Sequence, residues 1–238
     1  MKQLNSLKLV VSKYVSAEES MASDTAMFKD FESDNISPTL RIYSFKRPSV
    51  TLGYSQKAEE ELDIALCKKL GIDHAKRPTG GGILFHTRED IAFGLIIPES
   101  EEHALSISSL ALVDFLSSLG ISADVLPQKK GACLPARQGQ PRYCFSYPSR
   151  NEIAVSGKKI VGLAQKVGKR GVLQQGAIFV SDDSDEMLRV LKKPFKKSDL
   201  LSAATNVSEV ASSVPNFKKM SEALAESFEK CFEARLEV

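Results

Sequence analysis

The sequence predicts an α+β fold, with mixed or antiparallel sheets flanked by helices in a single domain spanning residues 1–238. Three observations carry that expectation. Short runs rich in β-branched and aromatic residues dominate the middle of the chain. Helical patterns fall between groups of these runs instead of after each one, which disfavours a regularly alternating parallel sheet. No linker is long enough to separate two independent units, and no internal repeat or low-complexity tract appears.

In chain order, residues 7–11 read as a strand. A helix over 17–32 follows, with Ser16 or Ala17 near its start and Met21, Ala22, Ala26 and Met27 along one face. Strands are expected at 40–45 and 49–52, with a turn at Arg47 and Pro48 between them. One amphipathic helix over 58–70 stops at Gly71. A short strand at 72–75 then enters a run of glycines. Residues 83–86 and 90–97 read as two strands joined by a turn and ended by Pro98. A helix over 106–119 stops at Gly120. Residues 127–141 are polar and rich in glycine and glutamine, the composition of a mobile loop. Strands recur at 152–155, 158–162 and 172–179, and Gly157 fits a tight hairpin turn between the first two. Helices are expected over 182–191 and 218–232.

Composition narrows the function. Of 238 residues, 42% are hydrophobic and 26% charged, which supports a sizeable globular core. The net charge of +2 and the lack of a basic block give no reason to expect nucleic acid as a partner. The apolar stretch near the start is too short for a signal-peptide core or a membrane span, so a cytoplasmic location is expected. Cys67, Cys133, Cys144 and Cys231 have no CxxC spacing and read as free thiols, and no metal site is expected. His74, His86 and His103 share no metal-ligand spacing either.

Two segments can carry chemistry. In Lys76-Arg77-Pro78-Thr79-Gly80-Gly81-Gly82, consecutive glycines allow positive φ and close backbone approach to a ligand. Their N–H groups can cradle an anion or carbonyl oxygen, and Arg77 can offer a fork of donors. Taken alone, the run fits a flexible hairpin better, and it is not a Walker motif. His86 closes the strand after the glycines, where it could face the same ligand. The second segment is CFSYPSRNEIAVSGKKIVGLAQKVGKRGVLQQG, from Cys144 to Gly176. Strand alternation sends Lys158 and Lys159 to opposite faces, so one of them can point into a site. Cys144 is either an inert core thiol or a nucleophile activated by a nearby lysine.

Together these segments resemble the lipoate–protein ligase A and octanoyltransferase superfamily, which shares its catalytic fold with biotin protein ligases. The resemblance runs through LRIYSFKRPSVTLGYSQ (40–56), KRPTGGGILFH (76–86), the block after Cys144, and DLLSAATNVSEV (199–210). It implies a glycine loop that wraps an acyl chain and its activated carboxyl end, which places Arg77, Thr79, Gly80, Gly81 and Gly82 in the site, with His86 beside them. The second lysine of the GKKIVG-like strand, Lys159, would contact the carboxyl group, with Gly162, Gln175 and Gly176 in the pocket wall. Members of the family more often carry histidine where Gln175 stands.

The same resemblance implies attachment of an octanoyl or lipoyl group to a lysine of lipoyl carrier domains, such as the E2 subunits of 2-oxoacid dehydrogenases and the glycine cleavage H protein. CFSYPS (144–149) resembles the branch that takes octanoate from acyl carrier protein through a cysteine thioester, with no tightly bound cofactor. The chain also lacks room for the accessory domain of longer ligases. The alternatives are an ATP-dependent lipoate ligase, using Mg-ATP and Lys159 at the adenylate, and a non-catalytic protein that only binds lipoyl or biotinyl groups.

Overall fold

A computed structural model describes residues 5–126, 152–182, 184–193 and 195–237. The loop expected at 127–141, and both Cys133 and Cys144, lie outside the described residues.

The chain opens with β1 (Ser6–Val15) and α1 (Ala17–Glu32), then β2 (Thr39–Phe45) and β3 (Ser49–Leu52). Two short helices, α2 (Ala58–Glu61) and α3 (Ile64–Leu70), precede β4 (Asp73–Lys76), β5 (Leu84–His86) and β6 (Ile91–Ile97). After α4 (Glu101–Ser118) come β7 (Asp124–Val125), β8 (Ile153–Val155), β9 (Lys158–Val167) and β10 (Val172–Ile178). Four helices, α5 (Ser184–Arg189), α6 (Lys197–Ala203), α7 (Val207–Val210) and α8 (Phe217–Phe232), lead to β11 (Arg235–Glu237). The main sheet has the order β11-β1-β2-β6-β10-β9-β8-β7, and a small sheet has the order β4-β3-β5. The β1 pairings with β2 and β11 and the β3–β4 pairing are parallel; the other ladders are antiparallel. The mixed α+β architecture expected from sequence is what forms.

Register assigns the two faces of the main sheet. Ile42, Phe93, Gly176 and Leu163 stand opposite one another across four strands, and residues paired this way share a face. On that face the Phe93 ring meets Phe228 of α8 edge-on at 5.2 Å. With Leu112 and Phe115 of α4 they form the large apolar core. Gly176 makes this possible: a Cβ there would stand 2.2 Å from Phe93 Cε1. Helix α1 covers the opposite face. Its N-cap Ser16 forms a capping box with Glu19.

The inward stripe of α1 is Ala17, Met21, Asp24, Phe28 and Phe31, a true helical period. This corrects the expected face, since Ala22 and Ala26 are exposed and Met27 is only half-buried. The expected helix over 58–70 is also two helices. Leu62 leaves helical geometry to bridge Leu191, Asp63 N donates to the Val190 carbonyl, and the Asp63 side chain then caps α3. Helix α4 starts earlier than expected, because Ser100 caps it through His103 N. Ser156 (φ 49°) and Gly157 (φ 79°) make the hairpin turn foreseen between β8 and β9.

Candidate active site

Two rows of paired residues cross the sheet face beneath α1: Tyr43–Ala92–Ala177–Gly162 and Arg41–Gly94–Gln175–Ala164. Alanines and glycines therefore lie side by side, and the helix cannot close down on them. The space left is a narrow slot, bounded also by Met21, by Leu84 and His86 of β5, and by Arg77. An apolar cleft with a few fixed polar groups is the usual form of a small-molecule site.

The glycine loop is held from beneath by Arg77, which is buried. Its Nη1 donates to the carbonyl (2.9 Å) and hydroxyl (2.7 Å) of Thr51, and its Nη2 to the carbonyls of Gly80 (3.2 Å) and Gly82 (2.7 Å). The Arg77 fork thus shapes the loop. Gly81 has φ +97°, and a Cβ there would lie 3.2 Å from Arg77 Nη2. The positive φ foreseen for the loop is present at this position.

His86 is buried against the Phe45 ring, at 4.3 Å between centroids. Its Nε2 is 2.8 Å from Thr51 Oγ1. Burial first, and then the Arg77 charge, lowers its pKa to about 3, so the imidazole is neutral. Its Nδ1 is buried and makes no hydrogen bond among the described residues.

A buried polar cluster closes the slot at the Gln175 row. Asp24 accepts from Arg41 Nη1 (2.9 Å), Tyr43 OH (3.2 Å) and Gln175 Nε2 (2.7 Å). Gln175 Oε1 in turn accepts from Thr79 Oγ1 at 2.7 Å. Burial raises the Asp24 pKa, opposed by the Arg41 charge and by these hydrogen bonds. Gly94 lies beneath the carboxylate, where a Cβ would approach its oxygens to 3.0 Å.

Lys159 reaches the same face through a bulge. Ile153 pairs with Val161 but Ala154 pairs with Lys159, so Ile160 is an extra residue in the ladder. Counting by twos from Gly162 would send Lys159 to the α4–α8 side; the bulge returns it to the α1 side with Ala154. Lys159 is buried, with its Nζ hydrogen-bonded to Glu152, whereas Lys158 is exposed.

Comparison with known proteins places the chain in a family. A family profile described as the lipoyl protein ligase A/B catalytic domain matches residues 16–229. The chain belongs to that family. The octanoyltransferase LipM of Carboxydothermus hydrogenoformans is 38% identical over 184 residues, 74% of this chain and 66% of the relative's own length. The octanoyltransferase LipM of Kyrpidia tusciae is 31% identical over 236 residues, 93% of this chain and 85% of the relative. Among solved structures, a crystal structure of lipoate-protein ligase A bound with ATP superposes with a TM-score of 0.77 at 27% identity. It covers 98% of this chain and 87% of that one. The lipoate ligase-like fold expected from sequence is thus the fold of this lipoyl ligase-family domain.

Of the residues expected in the site, Arg77, His86, Gly162, Gln175 and Gly176 line the slot; Gly80 and Gly82 are hydrogen-bonded to Arg77 and Thr79 to Gln175, while Lys159 is not part of the lining. Gly176 contributes backbone to its floor and leaves room for Phe93 behind it. Sequence reasoning missed Asp24, Arg41, Tyr43 and Gly94. A signal for Asp24 was present: it is the carboxylate at the centre of the stripe Ala17, Met21, Asp24, Phe28, Phe31.

Proposed function

We propose that this domain transfers an octanoyl or lipoyl group to a lysine of lipoyl carrier domains, taking octanoate from acyl carrier protein through a thioester on Cys144. The observation that carries the reading is the small-residue slot with buried Lys159 on the same sheet face. The narrow, mostly apolar lining between Met21 and the alanine and glycine rows suits a straight aliphatic chain, and the names of the LipM relatives point to octanoate.

In the proposed reaction, the Cys144 thiolate attacks the thioester carbonyl and the donor's C–S bond breaks. The departing carrier thiolate takes up the proton that Cys144 gave up. The neutral amine of the acceptor lysine then attacks the acyl–Cys144 carbonyl. An amide forms, the Cys144 sulfur leaves, and it recovers the amine's proton. Lys159 polarises the acyl carbonyl, and backbone N–H groups of the glycine loop hold the oxyanion. Neutral His86 offers its Nδ1–H to a polar atom of the occupant. No tightly bound cofactor is needed. The proposal treats 1–238 as one catalytic domain acting in the cytoplasm. Among the described residues, no helix is long and apolar enough to cross a membrane.

Likeness to an ATP-bound ligase favours a second reading, in which Mg-ATP activates lipoate and Lys159 contacts the adenylate. One experiment separates them. The protein is incubated with a lipoyl domain and either octanoyl-acyl carrier protein without ATP, or lipoate with Mg-ATP. Acylation from the first donor supports the transferase; acylation only from the second overturns it.

A further inference from the structure

Lys159 is held from several directions at once. On one edge its backbone pairs with Ala154 of β8; on the other it bridges Ala204 and accepts a 2.9 Å hydrogen bond from Thr205 N. Its ammonium forms an ion pair with Glu152. Both side chains are out of solvent, with 4% of Lys159 and 2% of Glu152 exposed.

The bulge in β9 is what makes this pair. Leu126 N donates to the Glu152 carbonyl at 2.8 Å, which carries the β7–β8 ladder on to that residue. Glu152 stands two residues before Ala154, so the period of two puts both on one side of the sheet. Without the extra residue Lys159 would pair with Val155, on the α4–α8 side with Ile153 and Val161. With it, Ile160 and Val161 both pack in that core, although they are adjacent in sequence, and Lys159 turns to Glu152.

Stability alone is a poor reason for such an arrangement. Taking two charges out of water is costly, and a buried ion pair often contributes no more than an apolar pair of the same volume. Catalysis supplies a better reason. An ammonium that stabilises a developing oxyanion works best when it is already aimed before the carbonyl arrives. Lysine carries its charge on a flexible four-carbon stem, so something must aim it.

We propose that Glu152 is a positioning residue for acyl transfer, its carboxylate fixing the direction in which the Lys159 ammonium meets the acyl carbonyl. The inference rests on the role given to Lys159 above. Glu152 acts through Lys159, so its removal is felt in kcat and leaves the KM for the donor nearly unchanged.

The test is a double-mutant cycle on the full chain, with octanoyl-acyl carrier protein as donor, a lipoyl domain as acceptor and the melting transition read for every protein. Lipoate with Mg-ATP replaces the thioester if the wild type uses only that donor, since Lys159 acts at the activated carbonyl in either reading. Glu152→Gln is expected to lower kcat by on the order of 10-fold or more, the scale of a misplaced catalytic group, with KM within about twofold. In the Lys159→Ala background the same substitution should change the residual rate by less than about twofold. It should nevertheless raise the melting temperature there, because the amide replaces a stranded buried carboxylate. Glu152→Asp keeps the charge on a shorter stem, and it carries the same cycle if the Gln variant does not fold. A folded Glu152→Gln with wild-type kcat overturns the proposal. So does a rate loss of equal size in both backgrounds, which is the signature of a role confined to the fold. Failure of the underlying reading looks different: Lys159→Ala itself keeps the wild-type kcat, and the proposal falls with it.

Discussion

Thr79 and Gln175, 96 residues apart, share a 2.7 Å hydrogen bond that ties the glycine loop to the sheet floor of the slot. Gln175 passes the tie on to Asp24 through its amide nitrogen at 2.7 Å. Its side chain therefore works as a two-ended strut, accepting at one end and donating at the other. Gln175→Leu removes both bonds and should cost about 1–3 kcal/mol, the cost of leaving buried partners unsatisfied. It should also weaken acyl binding, because the glycine loop loses its anchor. A neutral imidazole likewise carries one donor and one acceptor, so Gln175→His is expected to recover most of both losses. Urea unfolding and titration with octanoate measure the two effects; a Leu variant with unchanged stability and affinity would remove the strut.

The back of the slot makes a packing prediction. Gly176→Ala drives a methyl group into the Phe93 ring, with 2.2 Å between the added Cβ and Cε1. Overpacking of this kind costs about 1–3 kcal/mol. Since the clash is with one ring, Phe93→Leu in the same chain should relieve part of it, and the pair should be strongly non-additive. A double-mutant cycle by chemical denaturation tests this. Simple additivity would place the strain elsewhere.

Much of this architecture was legible in advance. The β-rich middle, the caps at Ser16 and Gly71 and the hairpin turn at Gly157 follow from local chemistry, which is encoded in a few adjacent residues. What was not legible depends on partners far away in sequence. The break at Leu62 and Asp63 comes from contacts with Leu191 and Val190, which no helical periodicity over 58–70 could reveal. The strands β7 and β11 have two and three residues and are stabilised only by their neighbours. In the site, the glycine run announced itself, but the Arg41–Asp24–Gln175 cluster joins α1, β2 and β10 and is visible only once they pack. Alternation separated Lys158 from Lys159 and the resemblance singled out Lys159, whereas its placement on the α1 side of the sheet depends on the bulge at Ile160.

The two adjacent lysines should separate cleanly in function. Lys158 is exposed while Lys159 is buried beside Glu152. Lys159→Ala should lower transfer by on the order of 100-fold or more with either donor, the scale of removing one group that stabilises a developing oxyanion. Lys158→Ala should retain most activity. Because Lys159→Ala also takes a cation away from a buried carboxylate, its melting transition must be compared with the wild type. Loss of activity in a folded Lys158 variant, with Lys159→Ala active, would reverse the assigned faces.

Asp90 gives the fold a pH dependence opposite to the usual carboxylate. It is fully buried, and its oxygens accept from Val180 N at 2.8 Å and Thr87 N at 2.9 Å. Burial dominates these bonds and pushes its pKa up from 3.8 to about 7. Between those values the folded chain keeps a proton that the unfolded chain has lost. Its contribution is therefore full below pH 3.8 and declines as pH rises to about 7, by on the order of 4 kcal/mol in all. Asp24, also raised by burial, acts with the same sign. Asp90→Asn should flatten the decline, read as urea midpoints across that range. An unchanged slope in the variant would show that Asp90 does not carry it.

The thioester step stands or falls on Cys144. Two of the other cysteines are poor candidates for the nucleophile. Cys67 is buried, and its pKa is raised by burial and then by Asp63. Cys231 is half-buried, raised by burial and then by Asp114. Neither offers the accessible thiolate that attack on a thioester requires. Incubation with octanoyl-acyl carrier protein should add one octanoyl group by intact mass, removable by neutral hydroxylamine and mapping to Cys144 on digestion. Cys144→Ser should lose turnover with that donor, because an alcohol without an activating base is a far weaker nucleophile at neutral pH. Adduct formation on Cys133 instead would move the nucleophile while keeping the mechanism. An ATP-dependent ligase has no use for the thiol, since an adenylate forms on the carboxylate of lipoate. Under that mechanism Cys144→Ser still lipoylates the carrier domain with lipoate and Mg-ATP. Full activity of the Ser variant under those conditions, with no acyl adduct on the wild type, would exclude the transferase.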